Sequence, residues 1–205
     1  MTTSWMLARL KQETRPHHGD ADTARLAPLV TPTSVGSYAT YLARIFGFEA
    51  AVEDALARTP ALAVVLAPTC WQRAAWIRDD LLALGLEPPG EASLTRFPRI
   101  PAFPSVAHAL GWLYVIERNS PLHGIVRRHL ARRMPGQIDV ASAYLTTTDT
   151  LATQRWRALG AVLDEVARDP SSADEAVEAA HVAFRAQQRW LRNTPSPERA
   201  DRRIA

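Results

Sequence analysis

The stretch Ser34-Val35-Gly36-Ser37-Tyr38-Ala39-Thr40-Tyr41-Leu42-Ala43-Arg44-Ile45-Phe46-Gly47-Phe48-Glu49-Ala50-Ala51-Val52-Glu53-Asp54-Ala55-Leu56 decides the fold class. Its apolar residues Tyr38, Tyr41, Leu42, Ile45, Phe46, Phe48, Val52 and Leu56 recur every three to four positions, the rhythm of one helical face, over about six turns. Ser34 precedes the run as a natural N-cap. Outward from it the same spacing returns and convincing strand alternation does not. One amphipathic run spans Trp71–Leu84 and stops at Gly85. Pro88, Pro89, Gly90 and then Phe97-Pro98-Arg99-Ile100-Pro101-Ala102-Phe103-Pro104 make a proline-punctuated connection. Ser105 caps a strongly apolar helix through Glu117, and Ser120-Pro121 starts another that runs to Met134 and ends at Pro135-Gly136.

From Ile138 a further helical stretch begins, with a break predicted at Thr146-Thr147-Thr148-Asp149-Thr150 before Trp156, Leu159, Val162, Leu163 and Val166 resume the rhythm. Asp169-Pro170-Ser171-Ser172 reads as a turn, and the last helix, Ala173–Arg192, turns Val177, Ala180, Phe184 and Leu191 inward. There are no internal repeats. The prediction is one all-α domain of six to eight helices over residues 1–194, followed by a flexible tail, 195–205.

Composition bounds the function. With 205 residues, 47% hydrophobic and 22% charged, the chain can bury enough surface to hold a core without disulfides or metal. Its single cysteine, Cys70, forms no internal disulfide, which fits a reducing cytosol, and no apolar run approaches a membrane span. The first ten residues lack the apolar stretch of a secretory signal, so a cytoplasmic protein is expected. The formal charge of +3 is carried almost wholly by arginine, because Lys11 is the only lysine. Twenty-one acidic residues argue against the one-signed field of a nucleic-acid binder.

Phosphate-loop, dinucleotide, zinc-protease, CxxC and serine-hydrolase motifs are absent. Asp79-Asp80 reads as solvated surface, since neighbouring residues do not face each other on a helix. Glu49 and Glu53 are four apart but lack the ExxH companion of a di-iron site.

Several segments carry a family resemblance. Leu10-Lys11-Gln12-Glu13-Thr14-Arg15-Pro16-His17-His18 resembles the first-helix motif Leu-Lys-x-x-Thr-x-x-x-His of heme oxygenases. Ala109-Leu110-Gly111-Trp112-Leu113-Tyr114-Val115-Ile116-Glu117 is similar to the start of the distal helix in the bacterial enzymes, especially those accompanying bacteriophytochromes. Between them, Asp79-Asp80-Leu81-Leu82-Ala83-Leu84-Gly85 resembles the family's Asp-Leu-x-x-Leu-Gly. Arg155-Trp156-Arg157 and Phe184 with Trp190-Leu191 follow in the same order. The resemblance implies a heme-oxygenase-like helical bundle that opens heme to biliverdin, carbon monoxide and ferrous iron, using O₂ and electrons.

It also implies roles. His18 stands at the position of the proximal iron ligand, and Lys11, two turns earlier, at that of a propionate partner, with Arg185 and Arg189 as further candidates. Tyr114, Ser120 and Gly124 fall on the side where O₂ would react, Tyr114 ordering water with the distal backbone. Partners would be a ferredoxin- or flavin-type electron donor, docked on Arg127, Arg128, Arg132 and Arg133, and a bacteriophytochrome taking the biliverdin.

Two departures from the family pattern bear on activity. Pro16, two residues before His18, breaks or kinks a helix that begins upstream, swinging His18 away or bringing His17 in. The family's Glu-Gly-Ser-Thr-Leu-Gly-Gly reads here Glu117-Arg118-Asn119-Ser120-Pro121-Leu122-His123-Gly124, with side chains where glycines leave space. His123 then has three readings: facing solvent, hydrogen-bonding O₂, or ligating iron opposite His18. The alternative to an oxygenase is a non-catalytic heme- or tetrapyrrole-binding protein on the same fold.

Overall fold

The computed structural model describes residues 4–30, 33–88, 90 and 95–194; Pro89 of the expected connection and the tail 195–205 lie outside the described residues. Among the described residues there are ten α-helices, one 3₁₀ turn and no strand. In chain order these are α1 (Trp5–Glu13), α2 (Arg15–Val30), α3 (Val35–Ala57), α4 (Pro60–Val65), the 3₁₀ turn Pro68–Cys70, α5 (Ala74–Ala83), α6 (Val106–Glu117), α7 (Ser120–Ala131), α8 (Pro135–Val140), α9 (Ala143–Val166) and α10 (Pro170–Asn193). The total exceeds the expectation because α4 and α8 are helices of six residues each and because the N-terminal helix divides at Thr14.

The caps explain the boundaries. Ser34 and Ser37 form a reciprocal capping box at the start of α3, and Ser105 accepts from the His108 N–H at the start of α6. Gly85, at φ +76°, ends α5 with the Leu86 N–H on the Leu81 carbonyl, a closure that favours glycine. The break expected at Thr146–Thr150 is absent: α9 runs unbroken, with threonine hydroxyls bonded back to the helix's own carbonyls, Thr148 to Tyr144 and Thr150 to Thr146 at 2.8 Å. Nor is Asp169–Ser172 a separate turn. The Asp169 carboxylate accepts from the Ser172 N–H at 3.0 Å, and Pro170 opens α10 where no backbone donor is required.

α6 and α10 pack at the centre. At Gly111 a Cβ would overlap the Ala176 carbonyl and lie 2.8 Å from Ala179 Cβ, so the glycine is what allows these two helices their close approach. Around them one apolar cluster draws Met6, Leu10, Phe48, Leu110, Leu113, Leu163 and Phe184 together. A second gathers Tyr38, Leu42, Ile77, Leu130, Tyr144 and Leu145 from α3, α5, α7 and α9.

The carboxylates read from sequence as surface or unassigned are mostly interior. Asp80 is buried, and its two oxygens accept from the N–H groups of Ala143 (2.7 Å) and Tyr144 (2.9 Å), fixing the start of α9 on α5. Only Asp79 is solvated, 57% exposed and paired with Arg78. Glu53 accepts from the N–H groups of Arg73 (2.5 Å) and Ala74 (2.8 Å), holding the first turn of α5. Glu49 is buried against Arg25 and accepts from the Tyr144 hydroxyl at 2.8 Å. These carboxylates pin helices together.

Candidate functional site

The break between α1 and α2 positions the first site residues. Thr14 closes α1 with its N–H and its hydroxyl both on the Leu10 carbonyl, at 2.9 and 2.7 Å. Pro16 then falls in the first turn of α2, where its missing N–H leaves no helical bond unmade. The chain so redirected carries His17 and His18 to Phe184 of α10, their rings 5.4 and 5.5 Å from its centroid. They differ in partners. His17 Nε2 meets His181 Nδ1 at 2.9 Å, while His18 forms part of a cavity wall.

That cavity, of about 550 Å³, lies within the size range of small-molecule sites. Lys11 and His18 come to it from the N-terminal helices; Tyr114, Glu117, Arg118, Ser120, Pro121 and Leu122 from the α6–α7 joint; Ala152, Thr153, Trp156 and Arg157 from α9. The wall thus combines aromatic and aliphatic surface with three cationic side chains, Lys11, Arg118 and Arg157, and one carboxylate, Glu117. Such a lining fits a flat, apolar molecule that carries carboxylates, and so fits heme.

His18 is held as a neutral ring. Burial pushes its pKa down, as do the charges of Arg118, His17 and Lys11, against an opposing contribution from Asp22. A neutral imidazole is the form that ligates metal. Its Nε2 lies 3.1 Å from the Thr14 hydroxyl, which already donates to Leu10, so Nε2–H is the donor in this contact. Ligation through Nε2 would require the ring to turn away from Thr14 and its proton to sit on Nδ1 instead.

Tyr114 lines the cavity with its hydroxyl 3.4 Å from Thr14 Oγ1, beside the His18 partner rather than across the space from it. Ser120 also lines the cavity and places its hydroxyl 3.4 Å from Glu117 Oε2. Glu117 in turn is ion-paired with the fully buried Arg73, whose Nη1 donates to the Ile116 carbonyl at 3.4 Å.

Other predicted site residues lie elsewhere. Gly124 is buried against α9, where an added Cβ would stand 3.0 Å from Asp149 Oδ2. His123 does not face solvent: it is fully buried, because α7 turns that face onto α9. Its Nδ1 meets the Thr148 hydroxyl, its Nε2 lies 3.3 Å from Arg25 Nη2, and its ring lies tilted, centroid to centroid 4.7 Å from that of Tyr144. Burial and the nearby Arg25 and Arg73 charges hold it neutral, well below the usual histidine range. The ring belongs to a buried network with Arg25, Glu49 and Tyr144 and is not on the cavity wall. Arg185 and Arg189 are exposed on α10 and off the cavity, Arg185 paired with Glu178 at 3.1 Å. The cationic positions on the wall are instead Lys11, Arg118 and Arg157. Sequence reasoning registered Arg118 only as an obstruction and Arg157 only as part of a motif. No group of three or more potential metal ligands occurs among the described residues.

The fold is an all-helical domain whose cavity wall carries one histidine, one lysine and two arginines. The chain belongs to the heme oxygenase family, whose family model matches residues 4–193. Its backbone is similar to the NO- and CO-bound heme oxygenase of Neisseria meningitidis, at 22% identity and a TM-score of 0.72, over 92% of this chain and 91% of that one. No curated protein matches the sequence. No helix among the described residues is long and apolar enough to cross a membrane.

Proposed function

We propose that this chain is a heme oxygenase that binds heme in the His18 cavity and converts it to biliverdin, carbon monoxide and ferrous iron. The observation that carries the reading is His18 itself: a neutral imidazole on the wall of an aromatic cavity that also bears Lys11, Arg118 and Arg157, placed there by the helix break at Thr14. Heme when bound supplies the iron at which O₂ is reduced and the carbon skeleton that is opened. The chain's own groups do the rest. His18 supplies the nitrogen ligand once its ring leaves Thr14; Lys11, Arg118 and Arg157 supply cationic partners for the carboxylates. Tyr114, Trp156, Pro121 and Leu122 keep bulk water from the ring faces. Ser120, at the start of α7, offers a hydroxyl on the α6–α7 side, where the reacting O₂ would lie.

Electrons would come from a ferredoxin- or flavin-type donor. The exposed Arg127, Arg128, Arg132 and Arg133 at the end of α7 give such an acidic partner a docking face. A bacteriophytochrome is the expected user of the biliverdin, and the cytoplasm the expected compartment.

Mixing the purified chain with hemin should produce a Soret band, and adding a reducing system under air should convert it to biliverdin absorption with release of carbon monoxide. His18→Ala should lose most of the Soret intensity and all turnover. One observation favours the alternative of a non-catalytic tetrapyrrole binder: Arg118 puts a full side chain into the α6–α7 wall where the family pattern has glycine. A Soret band that survives reductant and air unchanged would establish that alternative and overturn the oxygenase.

A further inference from the structure

An arginine on the cavity wall pairs with a carboxylate of the helix that carries His18. Arg118, the C-cap of α6, lines the cavity. Its two terminal nitrogens grip both oxygens of Asp22, Nη1 to Oδ1 at 2.9 Å and Nη2 to Oδ2 at 3.2 Å. Asp22 lies on α2, one helical turn beyond His18 and on the same face. The pair therefore ties the helix bearing the histidine to the α6–α7 joint, with the guanidinium 5.7 Å from the Phe184 centroid.

We propose that the Asp22–Arg118 pair is a latch on the cavity wall, opened when a carboxylate of the incoming porphyrin takes the place of Asp22 on the guanidinium. The proposal rests on the heme reading of the site.

Three features suit the pair to exchange. First, the guanidinium offers a planar two-pronged donor, and a porphyrin carboxylate presents the same acceptor geometry as Asp22, so no hydrogen bond is lost in the swap. Second, the pair is half-open, with Arg118 13% and Asp22 32% exposed, so Asp22 can return to water when released. The Arg73–Glu117 pair beside it is fully buried, and opening it would strand charges. Third, Asp22 and Arg118 both act on the His18 ring, with opposite sign.

The test uses stopped-flow mixing of the apo chain with hemin and with hemin dimethyl ester, which has no free carboxylate. Asp22→Asn should bind hemin about fivefold faster than the unaltered chain, because the guanidinium is no longer engaged. Arg118→Gln and Arg118→Ala should bind hemin about tenfold more weakly, the glutamine preserving the bulk. In either Arg118 background Asp22→Asn should have no further effect, and the ester should bind all variants alike. An Asp22→Asn rate equal to that of the unaltered chain overturns the latch while leaving the heme reading intact. So does an Asp22→Asn effect that persists without Arg118, or an equal response of the ester. If the unaltered chain binds neither hemin nor ester, the heme reading fails, and the latch fails with it.

Discussion

A carboxyl group with two backbone donors on one oxygen need not be ionised. Glu53 receives both the Arg73 and the Ala74 N–H on Oε1. Burial pushes its pKa up to about 8, against the pull of those two donors, and the nearby Glu49 adds to the rise. The folded chain thus keeps a proton that the unfolded chain releases near 4.5, so stability falls as pH climbs towards 8. Below about 6.5 other groups intrude: His17, His18 and His123 are all pushed down, mainly by burial, and Asp80 is raised to about 6. Between pH 6.5 and 8 Glu53 is the group whose shift matters most. Urea unfolding there should show stability declining by up to about 1.4 kcal/mol per pH unit, and Glu53→Gln should flatten the slope while preserving stability at pH 7. Legibility from sequence divides at this scale. His18 and Lys11 were readable because motif spacing places them on known faces. Glu53, Asp80 and Arg25 were not, because their partners come from residues 20 to 119 positions away.

Among the elements, α6 and α10 set the frame on which the cavity is built, and Gly111 sets their separation. Gly111→Ala forces a methyl group against the Ala176 carbonyl and Ala180 N, so it should destabilise the chain by about 1–3 kcal/mol and lower Tm by several degrees. Differential scanning calorimetry measures the drop. Helical periodicity located α3, α6 and α10 closely, since their apolar faces meet the core along their whole length. It failed at Thr146–Thr150, where a polar run reads as a break although the Thr148 and Thr150 hydroxyls bond to the preceding turn. Pro16, for its part, sits where one helix has ended and the next begins, so it does not distort the helix carrying His18.

For the whole molecule, the cavity collects residues from position 11 to position 157, so a ligand held there binds the folded chain and not the unfolded one. Hemin at a hundredfold excess over its Kd should add about 2.7 kcal/mol of stability, a rise in Tm of roughly 5–10 °C for a chain of this size. A thermal melt with and without hemin checks it, and the rise should shrink in His18→Ala. The same wall bears Lys11, exposed and without a second lysine anywhere in the sequence. Apart from the α-amino group, an acylating reagent therefore has one primary amine to find, and that amine stands at the mouth of the site, a built-in attachment point for a dye or an affinity tag that would report occupancy directly.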